Sequence, residues 1–416
     1  MDINEVLCNN NQNYFCKVIE NFNESDKEQI ALELENINFD ECMSYLNEKN
    51  IEKKKIDNIR PITYIDQNNI ANKERYFNIG TDALKRNEYA IVILAGGQGT
   101  RLGFNGPKGI YKIFPDENIT FFSLYIEKIK KIEEKYSCKV PLYIMTSKKN
   151  NNETVRYFEK NKYFNRKEYI RFFVQDELPM FLENKNLIVD ENRRIKFASN
   201  GHGNVFEAMK KNGVISELKK RKIKYLLITG LDNILMKPID EVPLGIMIDK
   251  DVKSIGKSIK KENPEEKMGV FCKKNGKVGV IEYSEISKEL AKKKKGNELL
   301  YSDAHLLWNI YRVDDLEELS MKKVKYHLAY KKCNYMDKNG ELIVPNKPNA
   351  YKFESFIFDF FDILNDMIIY RVDRYKEYAP IKNDVGIDSL ESVREKYKKC
   401  EELVWEEVKY WILQII

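Results

Sequence analysis

Ile91-Val92-Ile93-Leu94-Ala95-Gly96-Gly97-Gln98-Gly99-Thr100-Arg101-Leu102-Gly103, closed by Gly106-Pro107-Lys108-Gly109, is the stretch whose reading decides the fold. The apolar run Ile91 to Leu94 reads as a strand buried on both faces. It ends in small residues, where backbone N–H groups can crowd against phosphate oxygens because no Cβ stands between them. Arg101 and Lys108 place full positive charge at the rim of the same loop. The expected occupant is a nucleoside triphosphate. Two commoner phosphate loops do not fit. No Gly-x-x-x-x-Gly-Lys-Ser/Thr string occurs, and a dinucleotide fingerprint begun at Gly97 and Gly99 puts its third glycine on Leu102.

From Glu88 onward, apolar runs alternate with longer charged amphipathic stretches. Val140-Pro141-Leu142-Tyr143-Ile144-Met145 and Tyr225-Leu226-Leu227-Ile228-Thr229-Gly230 read as buried strands, and Phe121 to Tyr136 as a helix between them. The alternation predicts an α/β fold with a doubly wound, Rossmann-like sheet and ligand chemistry at the carboxyl ends of its strands. Val270-Phe271-Cys272 and Val278-Gly279-Val280-Ile281 flank Asn275-Gly276, the signature of a hairpin. Residues 1–86 read as a helical, charged domain. There Ser25-Asp26-Lys27-Glu28 is a capping box, and Phe39, Cys42, Met43 and Leu46 share one helix face. The chain thus reads as a helical domain 1–86, a catalytic domain 87–383 and a short helical C-terminal segment 384–416. In that last segment Val404, Val408, Trp411, Ile412 and Ile415 form an apolar face expected to dock on the protein itself. Lys292 to Lys295 is expected to be a solvated loop.

At 416 residues the chain can bury a large core in two or three units. The net charge of +6 is a small difference between 71 basic and 65 acidic residues, which favours an anionic small substrate and does not call for nucleic acid. Neither a signal peptide nor a membrane span is read in the chain. Seven scattered cysteines without a CxxC spacing, and only three histidines, point to reduced thiols in the cytoplasm and away from structural zinc.

The glycine stretch, with its G-G-x-G-T-R-L-G string and following P-K-G, resembles the nucleotide-binding signature of eukaryotic UDP-sugar pyrophosphorylases, above all the UDP-N-acetylhexosamine pyrophosphorylases. The resemblance implies a nucleotidyltransferase-type sheet and a substrate pair of UTP and a hexosamine 1-phosphate. The products would be a UDP-sugar and pyrophosphate, with Mg²⁺ as cofactor, in amino sugar metabolism. Leu94, Gly96, Gly97, Gly99 and Thr100 would face the nucleotide. Phe172-Phe173-Val174-Gln175-Asp176-Glu177-Leu178-Pro179 resembles the base-reading strand, where the Gln175 amide can both donate to and accept from the uracil edge. Ser199-Asn200-Gly201-His202-Gly203-Asn204 resembles the turn placed over the uridine, with Gly201 allowing close approach to the base and His202 a ligand contact. Asp232, in Thr229-Gly230-Leu231-Asp232-Asn233-Ile234-Leu235, matches the magnesium-binding aspartate. Gly269, Glu282, Tyr283 and His305 would meet the sugar. Lys352, in Pro348-Asn349-Ala350-Tyr351-Lys352, and Lys382, in Ala379-Pro380-Ile381-Lys382-Asn383, would lie near the sugar phosphate.

The implied chemistry is in-line attack of the sugar phosphate on the α-phosphorus of UTP. Arg101 and Lys108 would stabilise the departing pyrophosphate and Lys382 would hold the nucleophile. His202 and His305, standing where N-acetylhexosamine enzymes carry amides, favour a UDP-glucose or broad-specificity relative. Asp232-Asn233-Ile234-Leu235 and Glu282-Tyr283-Ser284-Glu285 favour the N-acetylhexosamine branch. A non-catalytic nucleotide sensor is the remaining alternative, opposed by the retained Arg101, Lys108, Asp232 and Lys382. A monomer or weak homo-oligomer is expected, without membrane or nucleic-acid partners.

Overall fold

A computed structural model describes residues 3–48, 58–114, 118–323, 325–364 and 366–393. The chain divides into two compact units, each assembled from separate segments. One comprises Met1–Lys55, Gln175–Asn204 and Lys323–Ile357; the other comprises Ile56–Val174, Val205–Lys322 and Phe358–Ile416.

The smaller unit opens with four helices, α1 (Ile3–Asn9), α2 (Asn13–Ile19), α3 (Glu24–Leu34) and α4 (Phe39–Glu48). Helix α4 buries Phe39, Cys42 and Leu46 as their spacing predicts. The cap of α3 differs from the sequence expectation. The Asn23 side chain accepts from the Asp26 N–H at 2.8 Å, so Ser25 falls inside the first turn. Both residue types can cap, and the chain enters the helix two residues earlier. These helices pack Phe15, Ile30 and Leu46 into one core with Phe181, Tyr351 and Phe353. The last three come from a small sheet in which His327–Lys331, Ala350–Glu354 and Phe181–Leu182 pair in that order.

The larger unit is built on an eleven-stranded sheet. Its strands are β1 (Ile59–Pro61), β2 (Ile65–Asp66), β3 (Tyr89–Leu94), β4 (Leu142–Thr146), β5 (Ile170–Val174), β6 (Tyr225–Gly230), β7 (Ser254–Lys260), β8 (Val270–Lys274), β9 (Lys277–Ile281), β10 (Asp303–Arg312) and β11 (Met367–Arg371). The main path runs β2-β11-β7-β10-β6-β3-β4-β5. Strands β6, β3, β4 and β5 are mutually parallel, and β10 runs antiparallel between β6 and β7. The sheet is therefore mixed and doubly wound, as the alternation predicts. Five consecutive residues of β3, Tyr89 to Ile93, are at most 1 % exposed, which is what covering both faces of a parallel strand demands. Asn275 and Gly276 take positive φ, +51° and +85°, and turn β8 into β9. Residues 59–66, in a region that reads as helical, instead supply β1 and β2. Pro61 is tolerated there because β1 pairs on one side only, with β8.

Helices α5 (Lys73–Lys85), α6 (Phe121–Tyr136) and, further along the chain, Glu241–Asp249 cover this sheet, and α6 has the bounds its sequence predicts. Helix α5 crosses Glu241–Asp249 backbone to backbone. A Cβ at Gly80 would overlap the Glu241 carbonyl, and one at Gly245 the Tyr76 carbonyl. Lys292 closes a short helix and Lys294–Lys295 form a two-residue strand, all of it exposed. The apolar positions from Val404 to Ile415 lie outside the described residues. Among the described residues, no helix is long and apolar enough to cross a membrane.

Gly245→Ala forces one methyl group into that crossing. A loss of about 1–3 kcal/mol is expected, as for other overpacked sites, read as a lowered denaturant midpoint at unchanged slope. An unchanged midpoint would show that the two helices part without cost.

Candidate active site

The glycine loop leaves the carboxyl end of β3 and folds back on itself. Gly99 N–H donates to Gly106 O at 2.9 Å and Lys108 N–H to Gly97 O at 3.1 Å. Asn150, fully buried, donates its amide to Ala95 O at 2.9 Å and Gly97 O at 3.2 Å. The carbonyls of the loop are thus drawn toward protein partners. Among the described residues, the N–H groups of Gly96, Gly97 and Gln98 have none. Nothing lies within 4 Å of the place where a Gly97 Cβ would stand. Unpaired N–H groups beside open space are what an anion needs. Leu94 ends β3, and Thr100 and Arg101 are exposed on the loop.

Strand β6 ends beside β3 and delivers Asp232. A second segment is clamped along it. Ile381 N–H donates to Asp232 O at 2.9 Å and Ile234 N–H to Ala379 O at 3.1 Å. The Asn233 amide donates to Glu377 O at 2.6 Å, and its Oδ1 accepts from Ala379 N–H at 2.8 Å. This clamp carries Lys382 to Asp232, and Asp384 N–H then donates to Arg101 O at 2.9 Å. Lys108 Nζ donates to Asp232 Oδ1 at 2.5 Å. Burial pushes the Lys108 pKa down, and repulsion from Arg101 and Lys382 adds to this, while Asp232 opposes it. Arg101, Lys108, Asp232 and Lys382 are therefore brought together. Lys382 also lies 3.6 Å from the Asp388 carboxylate.

Buried polar groups hold the Asp232 segment from below. Lys128 on α6 donates to Ile234 O at 2.5 Å and Met236 O at 2.9 Å, and Tyr125, one turn earlier, to Gly230 O at 2.9 Å. Burial pushes the Lys128 pKa down to about 7. Lys257 is fully buried between Asp240 and Glu377, 2.5 Å from each carboxylate. Burial alone would lower its pKa; the two carboxylates outweigh that and raise it.

Three of the sugar-site candidates meet where β8, β9 and β10 join. His305 N–H donates to Gly269 O at 2.9 Å, and a Cβ on Gly269 would lie 2.8 Å from Glu282 Oε1. The His305 ring meets Phe271 and Phe361 at centroid distances of 5.0 and 5.5 Å, with Nε2 3.2 Å from Asn309 Oδ1. Tyr283, next to Glu282, is 48 % exposed.

In the smaller unit, Gly201 has φ +90° and presses its bare face on the Ser355 backbone. Gly203 N–H donates to Ser355 O at 3.0 Å, and Ser355 N–H to Asn200 O at 2.9 Å. The close approach that the missing side chain permits is thus made by Ser355. His202 Nδ1 accepts from Ile357 N–H at 3.2 Å, which assigns the ring proton of the neutral form to Nε2. Gln175 is buried, and Lys352 pairs with Glu354 at 3.0 Å.

No group of three or more His, Cys, Asp or Glu side chains able to hold a metal occurs among the described residues. A hard cation that takes most of its oxygens from phosphate and water needs few from the protein, and Asp232, with a side chain 37 % exposed, can supply one. Sequence reasoning missed the groups that aim these residues: Asn150, Lys128, Glu377 and the bridging role of Asn233. A polar residue next to a turn carries no mark of a partner far away in the chain.

Asn233→Ala leaves the Glu377 carbonyl and the Ala379 N–H without a partner in a buried place. About 1–3 kcal/mol of stability should be lost per unsatisfied group, together with turnover, because Lys382 is no longer held at Asp232. Thermal unfolding and steady-state kinetics check both; wild-type values for each would remove the clamp from the account.

Comparison with known proteins shows the family and the fold. Residues 37–403 match the family model described as UTP–glucose-1-phosphate uridylyltransferase. The UDP-N-acetylglucosamine pyrophosphorylase of Saccharomyces cerevisiae is 35 % identical over 345 residues, covering 80 % of this chain and 72 % of that protein. Among solved structures, the uridine diphosphate N-acetylglucosamine pyrophosphorylase of Trypanosoma brucei superposes with a TM-score of 0.79 at 27 % identity, covering 94 % of this chain and 82 % of the other. A UDP-glucose pyrophosphorylase of Leishmania major shares the fold at a TM-score of 0.66 and 14 % identity, over 86 % of this chain and 77 % of its own. With a family model matched along most of its length, the chain belongs to the UTP–glucose-1-phosphate uridylyltransferase family.

Proposed function

We propose that this protein is a nucleotidyltransferase that joins UTP to N-acetylglucosamine 1-phosphate, forming UDP-N-acetylglucosamine and pyrophosphate. The observation that carries the reading is the meeting of Arg101, Lys108, Asp232 and Lys382 beside the unpaired N–H groups of Gly96, Gly97 and Gln98. The relatives named UDP-N-acetylglucosamine pyrophosphorylase or diphosphorylase support the choice of sugar over glucose.

The reaction forms one P–O bond and breaks one. A sugar-phosphate oxygen attacks the α-phosphorus of UTP, and the bond from that phosphorus to the pyrophosphate oxygen breaks in line. The nucleophile is already ionised, so no general base is required. What is required is the approach of two polyanions, and the cluster answers this with fixed positive charge. Lys382 would hold the attacking phosphate, while Arg101 and Lys108 with the loop N–H groups would take the charge that builds on pyrophosphate. Asp232 would hold Mg²⁺, which when bound neutralises phosphate charge. Glu282 would accept from sugar hydroxyls, with Gly269, Tyr283 and His305 around it. By the resemblance of their segments, Gln175, Gly201 and His202 would serve uridine and Lys352 the sugar phosphate. A cytoplasmic setting fits the scattered cysteines, which are unpaired among the described residues.

Pyrophosphate release should be measured with UTP and either N-acetylglucosamine 1-phosphate or glucose 1-phosphate. The N-acetylated substrate should turn over faster, and Arg101→Ala should lower its kcat by about 100- to 1000-fold. Preference for glucose 1-phosphate would move the chain to the UDP-glucose reading. Release with neither, despite UTP binding, would leave a nucleotide sensor.

A further inference from the structure

A cleft of about 710 Å³ opens in the larger unit where β7 and β11, neighbouring parallel strands, reach their carboxyl ends. None of the residues of the Arg101–Lys108–Asp232–Lys382 cluster lines it. In the sheet order, four strand steps separate β11 from β3, roughly 19 Å at the usual spacing. Carboxyl ends of parallel strands are where open α/β sheets take ligands.

The charges lining the cleft are unevenly satisfied. Its carboxylates are engaged. Glu298 pairs with Lys260 at 2.5 Å, and Glu262 meets Arg374 at 3.4 Å and the Tyr375 hydroxyl at 3.1 Å. Asp373 accepts from Tyr375 N–H and Asp66 from Asn68 N–H, each at 2.8 Å. Two lysines are not so engaged. Lys261 is only 5 % exposed, yet among the described residues its ammonium has no ion pair and no hydrogen bond but a long one to Pro264 O at 3.4 Å. Arg374 is itself held, with Nε 3.4 Å from the Glu262 carboxylate and Nη1 3.0 Å from that of Glu266. Lys294, exposed at the mouth, also lacks an ion pair among the described residues. A buried ammonium without a direct ion pair is costly unless something supplies one. Burial pushes the Lys261 pKa down, and Arg374 adds to this against Glu266 and Glu265.

We infer that this cleft is a second anion site, binding a phosphate-bearing small molecule whose phosphate completes Lys261, with Lys294 beside it. The Tyr64 ring, stacked 3.5 Å from the Arg371 guanidinium and 40 % exposed, forms an aromatic wall for the rest of such a ligand.

Inorganic pyrophosphate is the probe, titrated calorimetrically into the full chain. Two sites are expected in the wild type, one in the cluster and one here. Lys261→Met should abolish the second and leave turnover within about twofold, while Arg101→Ala combined with Lys108→Met should abolish the first and leave the second. Lys294→Glu, an exposed change that spares the fold if Lys261→Met does not, should weaken the second site about tenfold. Wild-type stoichiometry in Lys261→Met, or unaltered affinity in Lys294→Glu, overturns the inference. Either result leaves the uridylyltransferase reading to its own assay.

Discussion

A fully buried ammonium, Lys257, held between Asp240 and Glu377, is the interaction on which the cluster of Arg101, Lys108, Asp232 and Lys382 depends. Removing one partner of such a group leaves an uncompensated charge in the interior, at a cost of about 3–5 kcal/mol. The triad therefore fixes where Glu377 must lie. Glu377 in turn offers its carbonyl to Asn233, and Asn233 seizes Ala379. From that clamp, the direction of the next three residues carries Lys382 to Asp232. A charge buried in the core thus decides where a surface lysine stands.

The cluster so assembled is electrostatically unfinished. Arg101, Lys108 and Lys382 repel one another, and Lys108 is buried besides. Asp232 relieves part of this, and the N–H groups of Gly96, Gly97 and Gln98 have no partner among the described residues. Such a place is not optimised for the empty protein. Under the proposed reading it would be complementary to phosphate, which is how a site whose chemistry is charge neutralisation must be built. Helix α6 serves the same end from behind, where Tyr125 and Lys128 tie down the carbonyls around Asp232 and so keep its carboxylate facing the loop.

Local signals were legible in the chain. The run Ile91 to Leu94, the Asn275-Gly276 turn and the span of α6 follow from residues within a few positions of each other. Where two local signals competed, sequence reasoning chose less well: Asn23 and Ser25 both cap, and only the path of the chain into α3 separates them. The edge strands β1 and β2 were hidden by charged, polar flanks. Asn150 and Lys128 were invisible for a different reason, since a buried asparagine or lysine in a charged chain looks the same as an exposed one.

The sequence by itself determined the glycine loop, the alternation that makes a doubly wound sheet and the types of charged residue gathered around that loop, because glycine geometry, hydrophobic period and charge are properties of neighbouring residues. Only the tertiary structure decided that Lys108 meets Asp232, that Lys382 is brought there by the Asn233 clamp, that Ser355 takes the bare face of Gly201, and that Lys261 lies buried without an ion pair among the described residues. Each of these depends on which distant backbone groups are left unpaired once the sheet has formed, and hydrogen-bond satisfaction in the interior is settled by the whole fold and not by any stretch of it.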